Sequence, residues 1–401
     1  MGKYINICNV YVFLWCIFRL KGWLYQGDQI STISYIIIML ISLYYAIICY
    51  KDYRYQPVIK YYNILIVFFS IYGIINILFF EDLNKIGHVI PTDFFLQNIL
   101  RSMLPFYAFY AFTKKGYITQ KWLCYVAIIV LFISVPRYFI EQRKMMQLML
   151  AKGLLNVDEV TNNAGYLFSA LLPLFCFWNK KPLVQYAGFL ICIFFMLSGM
   201  KRGAILVGGL SLFFIFFSVF RTSNTKSKIV FLILTIICIF LSYKYFSYME
   251  DSSAYFMQRL EDTKEGNTSS RSVLYEDFWN MFWNNSNPFS LLFGLGADAT
   301  IRYGKNYAHN DWLEIAVDHG MIGITVFFVF WKRMLHFWRT TRKYPVIYVA
   351  LGACVIQLFA KTFFSMSIND MEFYTVLVLG YCVAIVTKPQ LIVKQEIKQK
   401  Y

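Results

Sequence analysis

Charge is what this chain has least of. Only 15% of its 401 residues are charged, while 59% are hydrophobic and the mean hydropathy is +0.52. A water-soluble protein of this length cannot hide so much apolar side chain, so the solvent must be mostly lipid. Acids are the scarcer sign, 22 against 38 Lys and Arg. The pI near 9.3 does not call for nucleic acid, because the bases sit in short loops between apolar spans, as membrane topology requires. All the cysteines (8, 16, 49, 124, 176, 192, 238, 354 and 382) fall in apolar stretches, which excludes a disulfide framework and a Cys-ligated zinc site. There is no low-complexity segment and no repeat with a period of about 20–50 residues, which excludes a solenoid. The first apolar run, Ile5 to Phe18, meets Arg19 without a small-residue cleavage pattern, so it is expected to be a transmembrane helix and not a signal peptide.

What the chain does have is one apolar run after another. A helix needs roughly 20 apolar residues to cross a bilayer core about 30 Å thick. Spans are expected near 5–20, 30–50, 59–80, 94–112, 121–137, 163–178, 183–199, 203–220, 228–246, 313–331, 346–364 and 373–387. The runs are continuous and not alternating, so helices and not a barrel must satisfy the backbone. The expected fold is an all-α polytopic membrane protein of about 12 transmembrane helices. It reads as one membrane domain over 1–401, with a large outer loop at 246–312 that contains short amphipathic helices, and a smaller outer loop at 137–162.

Lys and Arg choose the orientation. With the amino terminus inside, the inner segments hold Lys51, Arg54 and Lys60; Lys114, Lys115 and Lys121; Lys180 and Lys181; Arg221, Lys226 and Lys228; Lys332, Arg333, Arg339, Arg342 and Lys343; and the carboxyl-terminal lysines. Asp52 and Glu396 are the only acids in those segments. The bias places both termini in the cytoplasm and the large loop outside.

Bases on the outer face therefore need a reason. Lys201 and Arg202 occupy a tight turn, Ser198-Gly199-Met200-Lys201-Arg202-Gly203. Arg137 stands at the start of the smaller outer loop, which also holds Arg143, Lys144 and Lys152. Arg271 opens an expected helix capped by Ser269 or Ser270, with Leu274, Phe278 and Met281 or Phe282 on one side and Trp279 and Trp283 near them. Such a helix would lie in the interface and hold Arg271 at headgroup level, where its planar fork suits a lipid diphosphate. Ordinary interfacial anchoring is the alternative for each Arg. Phe293-Gly294-Leu295-Gly296-Ala297-Asp298-Ala299 matches G-x-G-x-x-A only formally, with no strand before it and no βαβ unit after it. Its glycines are read as a tight backbone turn and not as a dinucleotide site.

The loop ends in Ala308-His309-Asn310-Asp311-Trp312-Leu313-Glu314. His309 can take a proton from a sugar hydroxyl near neutral pH. Asp311, Glu314 and Asp318 follow at helical spacing on one face, where a carboxylate could orient it. Helix capping, a structural hydrogen bond, or a metal site with Asp311 and His319 stay open as other roles, although no HExxH or CxxC spacing is present. Arg101 lies inside an expected span just before Pro105, where it is either functional or bonded to carbonyls that a kink frees. Lys361, near an outer helix end, is expected to snorkel.

Several of these stretches together resemble the O-antigen polymerase and O-antigen ligase family of bacterial polysaccharide assembly. They are Ser198–Leu206 (SGMKRGAIL), Ser269–Trp279 (SSRSVLYEDFW), Pro288–Gly296, Ala308–Gly323 (AHNDWLEIAVDHGMIG) and Thr161–Gly165. The likeness covers the second half of the chain, and the first half matches in hydropathy alone. It implies a metal-independent, cofactor-free glycosyltransferase of the bacterial inner membrane that uses an undecaprenyl-diphosphate-linked oligosaccharide. It further implies that Arg202 and Arg271 bind the diphosphate and that His309 activates the hydroxyl of an acceptor glycan, with Asn310, Asp311, Glu314 and Arg137 in support. Lys201 stands where the family commonly has Ser, which leaves open which of Lys201 and Arg202 meets phosphate. The implied partners are the lipid-linked donor, the acceptor, membrane lipid and a chain-length regulator, with no nucleic acid. A capsule or O-antigen polymerase is favoured by the Tyr-, Phe-, Ile- and Lys-rich composition; a ligase acting on lipid A-core is the alternative. A flippase for the same lipid-linked sugar is the less favoured alternative: it would spread charge through several spans and show two related halves, whereas Arg101 is the one clearly intramembrane charge and the polar chemistry concentrates on one face.

Overall fold

A computed structural model describes residues 6–21, 28–85, 88–152, 164–199, 201–222, scattered positions in 228–247, 271–284, 287–304, 307–365, 367 and 371–387. The span expected at 228–246 is described only at scattered positions, and most of the large loop before Arg271, the Ser269/Ser270 cap, residues 153–162 of the smaller loop, Met200 and Thr161–Asn163 fall outside the described residues.

The helices are α1 (Ile7–Arg19), α2 (Asp28–Cys49), α3 (Pro57–Phe79), α4 (Phe94–Met103), α5 (Pro105–Lys114), α6 (Gln120–Lys152), α7 (Ala164–Phe175), α8 (Pro182–Ser198), α9 (Arg202–Thr222), α10 (Arg271–Trp283), α11 (Pro288–Phe293), α12 (Ala299–Tyr303), α13 (Asp311–Thr340), α14 (Pro345–Phe364) and α15 (Phe373–Thr387). A small antiparallel pair, β1 (Leu83–Lys85) and β2 (His88–Ile90), follows α3. Proline opens α3, α5, α8 and α11, where the missing N–H costs nothing and the fixed φ suits the first turn.

Six helical stretches among the described residues are long and apolar enough to cross a membrane: Asp28–Arg54, Pro57–Phe79, Gln120–Lys144, Arg202–Arg221, Asp311–Lys343 and Pro345–Phe364. Shorter apolar helices cover Ile7–Arg19, Ala164–Trp178, Pro182–Ser198 and Phe373–Thr387. The run at 94–112 is two helices, α4 and α5, joined at Leu104-Pro105. Tyr107 N reaches back to the Leu104 carbonyl, and the Tyr62 hydroxyl donates to Met103 O at 2.9 Å. The break is thus repaired by a neighbouring hydroxyl, as lipid requires. Helix α6 runs through Pro136 to Lys152, so the stretch expected as a loop at 137–162 begins as helix.

The chain divides into two compact units. The first comprises Met1–Ile36, Ile118–Ser269 and Arg342–Gln357. There α7 is buried along its whole length and packs on α6, α8 and α9. Gln357, itself buried, donates to Ser169 O at 2.6 Å and to Ser211 Oγ at 2.9 Å, which ties α7 and α9 to α14. The turn before α9 is seated on α7: Gly165 lies against Lys201 and Ala204.

The second unit comprises Ile37–Tyr117, Ser270–Thr341 and Leu358–Tyr401. In it α13 packs on α3, with Phe330 meeting Tyr62, and α15 packs on α5, with Phe373 edge-on to Phe109. Asp52 pairs with Lys114 at 2.5 Å, and the Arg333 guanidinium lies 5.0 Å from the Tyr61 ring centre. The segments that the charge pattern assigns to one side of the membrane thus meet in pairs.

Candidate functional site

The second unit turns sharply just before α13. Asn310 is the N-cap: its side-chain oxygen accepts from Trp312 N at 3.0 Å and Leu313 N at 3.3 Å, a cap that contributes about 1 kcal/mol. His309, immediately before it, is exposed and has φ 52. Among the described residues, only Asp298 and His309 combine a side chain with positive φ. Such a backbone costs on the order of 1–3 kcal/mol and persists only where its surroundings impose it.

The neighbours of His309 impose it from both sides. Ala308 is fully buried in an apolar cluster with Phe278, Phe282, Ala299, Ala316 and Val317. Asp311 accepts from Ser367 N at 3.1 and 2.9 Å, and the Ser367 hydroxyl donates to the same carboxylate. Trp312 Nε1 donates to Thr362 Oγ1 at 2.9 Å. An exposed imidazole is therefore held on a rigid turn at a helix N-terminus, where backbone N–H groups favour negative charge.

The three acids share a face, as their spacing predicts, and all are buried. Each is spent on structure. Glu314 Oε1 accepts from Thr300 Oγ1 at 2.9 Å. Asp318 accepts from Asp298 N at 3.1 Å and Thr300 N at 3.2 Å. These bonds fasten the 294–300 turn to α13, and Leu295 N and Gly296 N add bonds to the carbonyls of Val317 and Asp318. The glycines are a requirement of this seam. Gly294 (φ 78) and Gly320 (φ 65) lie so close that a Cβ on Gly294 would stand 2.4 Å from the Asp318 carbonyl, and one on Gly320 2.5 Å from Gly294 N. Gly320 also breaks the helix. Asp298, buried in the turn, has its carboxyl pushed up to about 6 by desolvation, against the opposing pull of Arg302.

Arg271 is the first residue of α10, and its Nη1 donates to the Phe364 carbonyl at 3.2 Å. Phe278 and Phe282 of the same helix enter the cluster that holds Ala308, so one apolar seat carries both Arg271's helix and the His309 turn. Trp279 and Trp283 are exposed and stacked, with ring centres 5.8 Å apart. Lys201, Arg202 and Arg137 belong to the other unit. Lys201 ends the turn before α9, Arg202 opens α9, and Arg137 lies within α6. Arg101 is exposed and donates to Asn98 Oδ1 at 2.8 Å. His319 is boxed by Phe68, Phe69, Tyr72 and Phe95, with its ring centre 4.4 Å from that of Tyr72. Lys361 does not snorkel freely: it is buried at 7% exposure.

Sequence reasoning missed Arg302, which donates to Asn76 Oδ1 at 2.7 Å and lies 4.0 Å over the Phe80 ring. Its place as a base in the loop expected at 246–312 was the signal that would have found it. Thr362 and Ser367 carry no signal in sequence; only their partners give them a role.

A comparison with curated proteins gives no match. Residues 187–328 match the family model described as O-antigen ligase. That stretch contains the Arg202 turn, Arg271 and the His309 turn, so the part of the chain that carries these residues is similar to O-antigen ligases.

Proposed function

We propose that this protein is a polysaccharide polymerase of the bacterial inner membrane. It transfers an undecaprenyl-diphosphate-linked glycan to the hydroxyl of an acceptor glycan at the outer face. In this reading about twelve spans cross the bilayer, both termini are cytoplasmic and the large loop is outside. His309 accepts the proton of the acceptor hydroxyl as that oxygen attacks the anomeric carbon. The lipid diphosphate leaves with the bonding electrons, and the anomeric centre inverts. Arg271, and Arg202 with Lys201, bind the dianionic leaving group, which needs fixed cations as charge develops on it.

The observation that carries this reading is the His309 turn: an exposed base, in left-handed backbone, anchored on both sides and seated on the cluster that seats Arg271's helix. The acids contribute by fixing the turn: Asp311 and Asp318 accept from backbone N–H groups, and Glu314 accepts from the Thr300 hydroxyl. A second reading, ligation to lipid A-core, is favoured by the description of the matching family model. The two are separated by giving purified protein the lipid-linked repeat unit alone or together with lipid A-core. A glycan ladder from the repeat unit alone supports the polymerase; product only when lipid A-core is added supports the ligase.

A further inference from the structure

Arg271 stands at the start of the described part of its helix, and Asp311 is the first residue of its own. Both are fastened to one short stretch. Arg271 donates to Phe364 O at 3.2 Å and Tyr275 to Phe363 O at 3.3 Å. From the other helix, Trp312 donates to Thr362 Oγ1 at 2.9 Å, and Asp311 accepts from the backbone and side chain of Ser367. The carbonyls of Phe363 and Phe364 belong to the last turn of α14, whose acceptors have no partner within their own helix and whose dipole end attracts a guanidinium. Thr362 and Ser367 are buried, at 0% and 1% exposure.

We propose that the last turn of α14 from Thr362, together with Ser367 just beyond it, is the mount that fixes Arg271 relative to His309, with Thr362 and Ser367 as positioning residues. This rests on the reading of His309 as the base and Arg271 as a diphosphate ligand. The mount acts on geometry: Ser367 holds Asp311 two residues after His309, Thr362 holds Trp312, and the adjoining carbonyls hold the Arg271 helix. Loosening it misaligns the base against the bound donor without removing either group, and a shift of about 1 Å costs up to 100-fold in rate.

The test is steady-state transfer by purified full-length protein, using lipid-linked repeat units as donor and only preparations that are monodisperse and melt cooperatively. Ser367→Ala and Thr362→Val are expected to lower kcat about tenfold or more with donor KM unchanged. Ser367→Thr and Thr362→Ser, which keep the hydroxyls, are expected to restore it. Wild-type kcat in both hydroxyl-deleting variants overturns the mount, as does failure of both hydroxyl-restoring variants to recover rate. If either hydroxyl deletion does not fold, Trp312→Phe removes the same link from the other side: a lowered kcat at constant KM supports the proposal, and an unchanged kcat overturns it. His309→Ala separates the two layers. If it is inactive while the mount variants run at full rate, the mount alone fails; if it is fully active, the base assignment fails first.

Discussion

The two halves of α13 teach different lessons. Its first turns, Asp311 to His319, bury three acids and a histidine; the remainder after Gly320 is apolar and packs Phe327, Phe330, Trp331, Met334 and Phe337 inward while Phe328 faces out. The lower half is what lipid asks of a span. In the upper half the three acids face inward and bond to loops and to the residue beyond the neighbouring helix end. A helix that changes character at a glycine break is an apolar packing element on one side of it and a scaffold for loops on the other.

That contrast can be broken or sharpened by substitution. Gly320→Val should have the largest effect, since a Cβ there meets backbone atoms at 2.5 Å and the φ is left-handed. A loss of about 4 kcal/mol or more is expected, read as failed expression or a collapsed melting transition. Asp318→Ala orphans the N–H groups of Asp298 and Thr300 and should cost about 3 kcal/mol, seen as lowered thermal stability. Asp298→Asn sharpens the electrostatic side. The carboxyl of Asp298 titrates at about 6 in the folded protein, so its protonated form favours folding. That contribution is complete below its ordinary value near 4 and is lost as pH rises through about 6, a difference of up to about 3 kcal/mol. Asn, which suits left-handed backbone, should flatten the stability profile between those pH values and raise stability at pH 7, by thermal melts across pH. Phe328→Ala, on the exposed lower face, should change detergent-solubilised stability by less than about 0.5 kcal/mol.

Much of this was legible. Hydropathy located most of the apolar helices, and the spacing of Asp311, Glu314 and Asp318 put them on one face. The glycines of 294–296 were rightly read as a backbone turn. Other features were not legible, for a physical reason. Whether a carboxylate orients an imidazole or staples a backbone depends on partners distant in sequence, such as Ser367 for Asp311 and Thr300 for Glu314. No local pattern encodes those pairings. The kink at Pro105 was legible in the run at 94–112, but the Tyr62 hydroxyl that donates to the Met103 carbonyl there was not, because it comes from a different helix. The inner face of α10 was anticipated at Leu274, Phe278 and Phe282, but its burial against Ala308 and Val317 comes from tertiary contact.

The central claim is that the anchored turn exists to present His309 to an acceptor hydroxyl. The most direct measurement is glycan transfer by purified protein from an undecaprenyl-diphosphate-linked repeat unit, with wild type and His309→Ala compared at equal folded concentration. The account expects the wild type to lengthen the glycan and release lipid diphosphate, and His309→Ala to be about 100-fold slower or worse. Transfer by His309→Ala at the wild-type rate would contradict it.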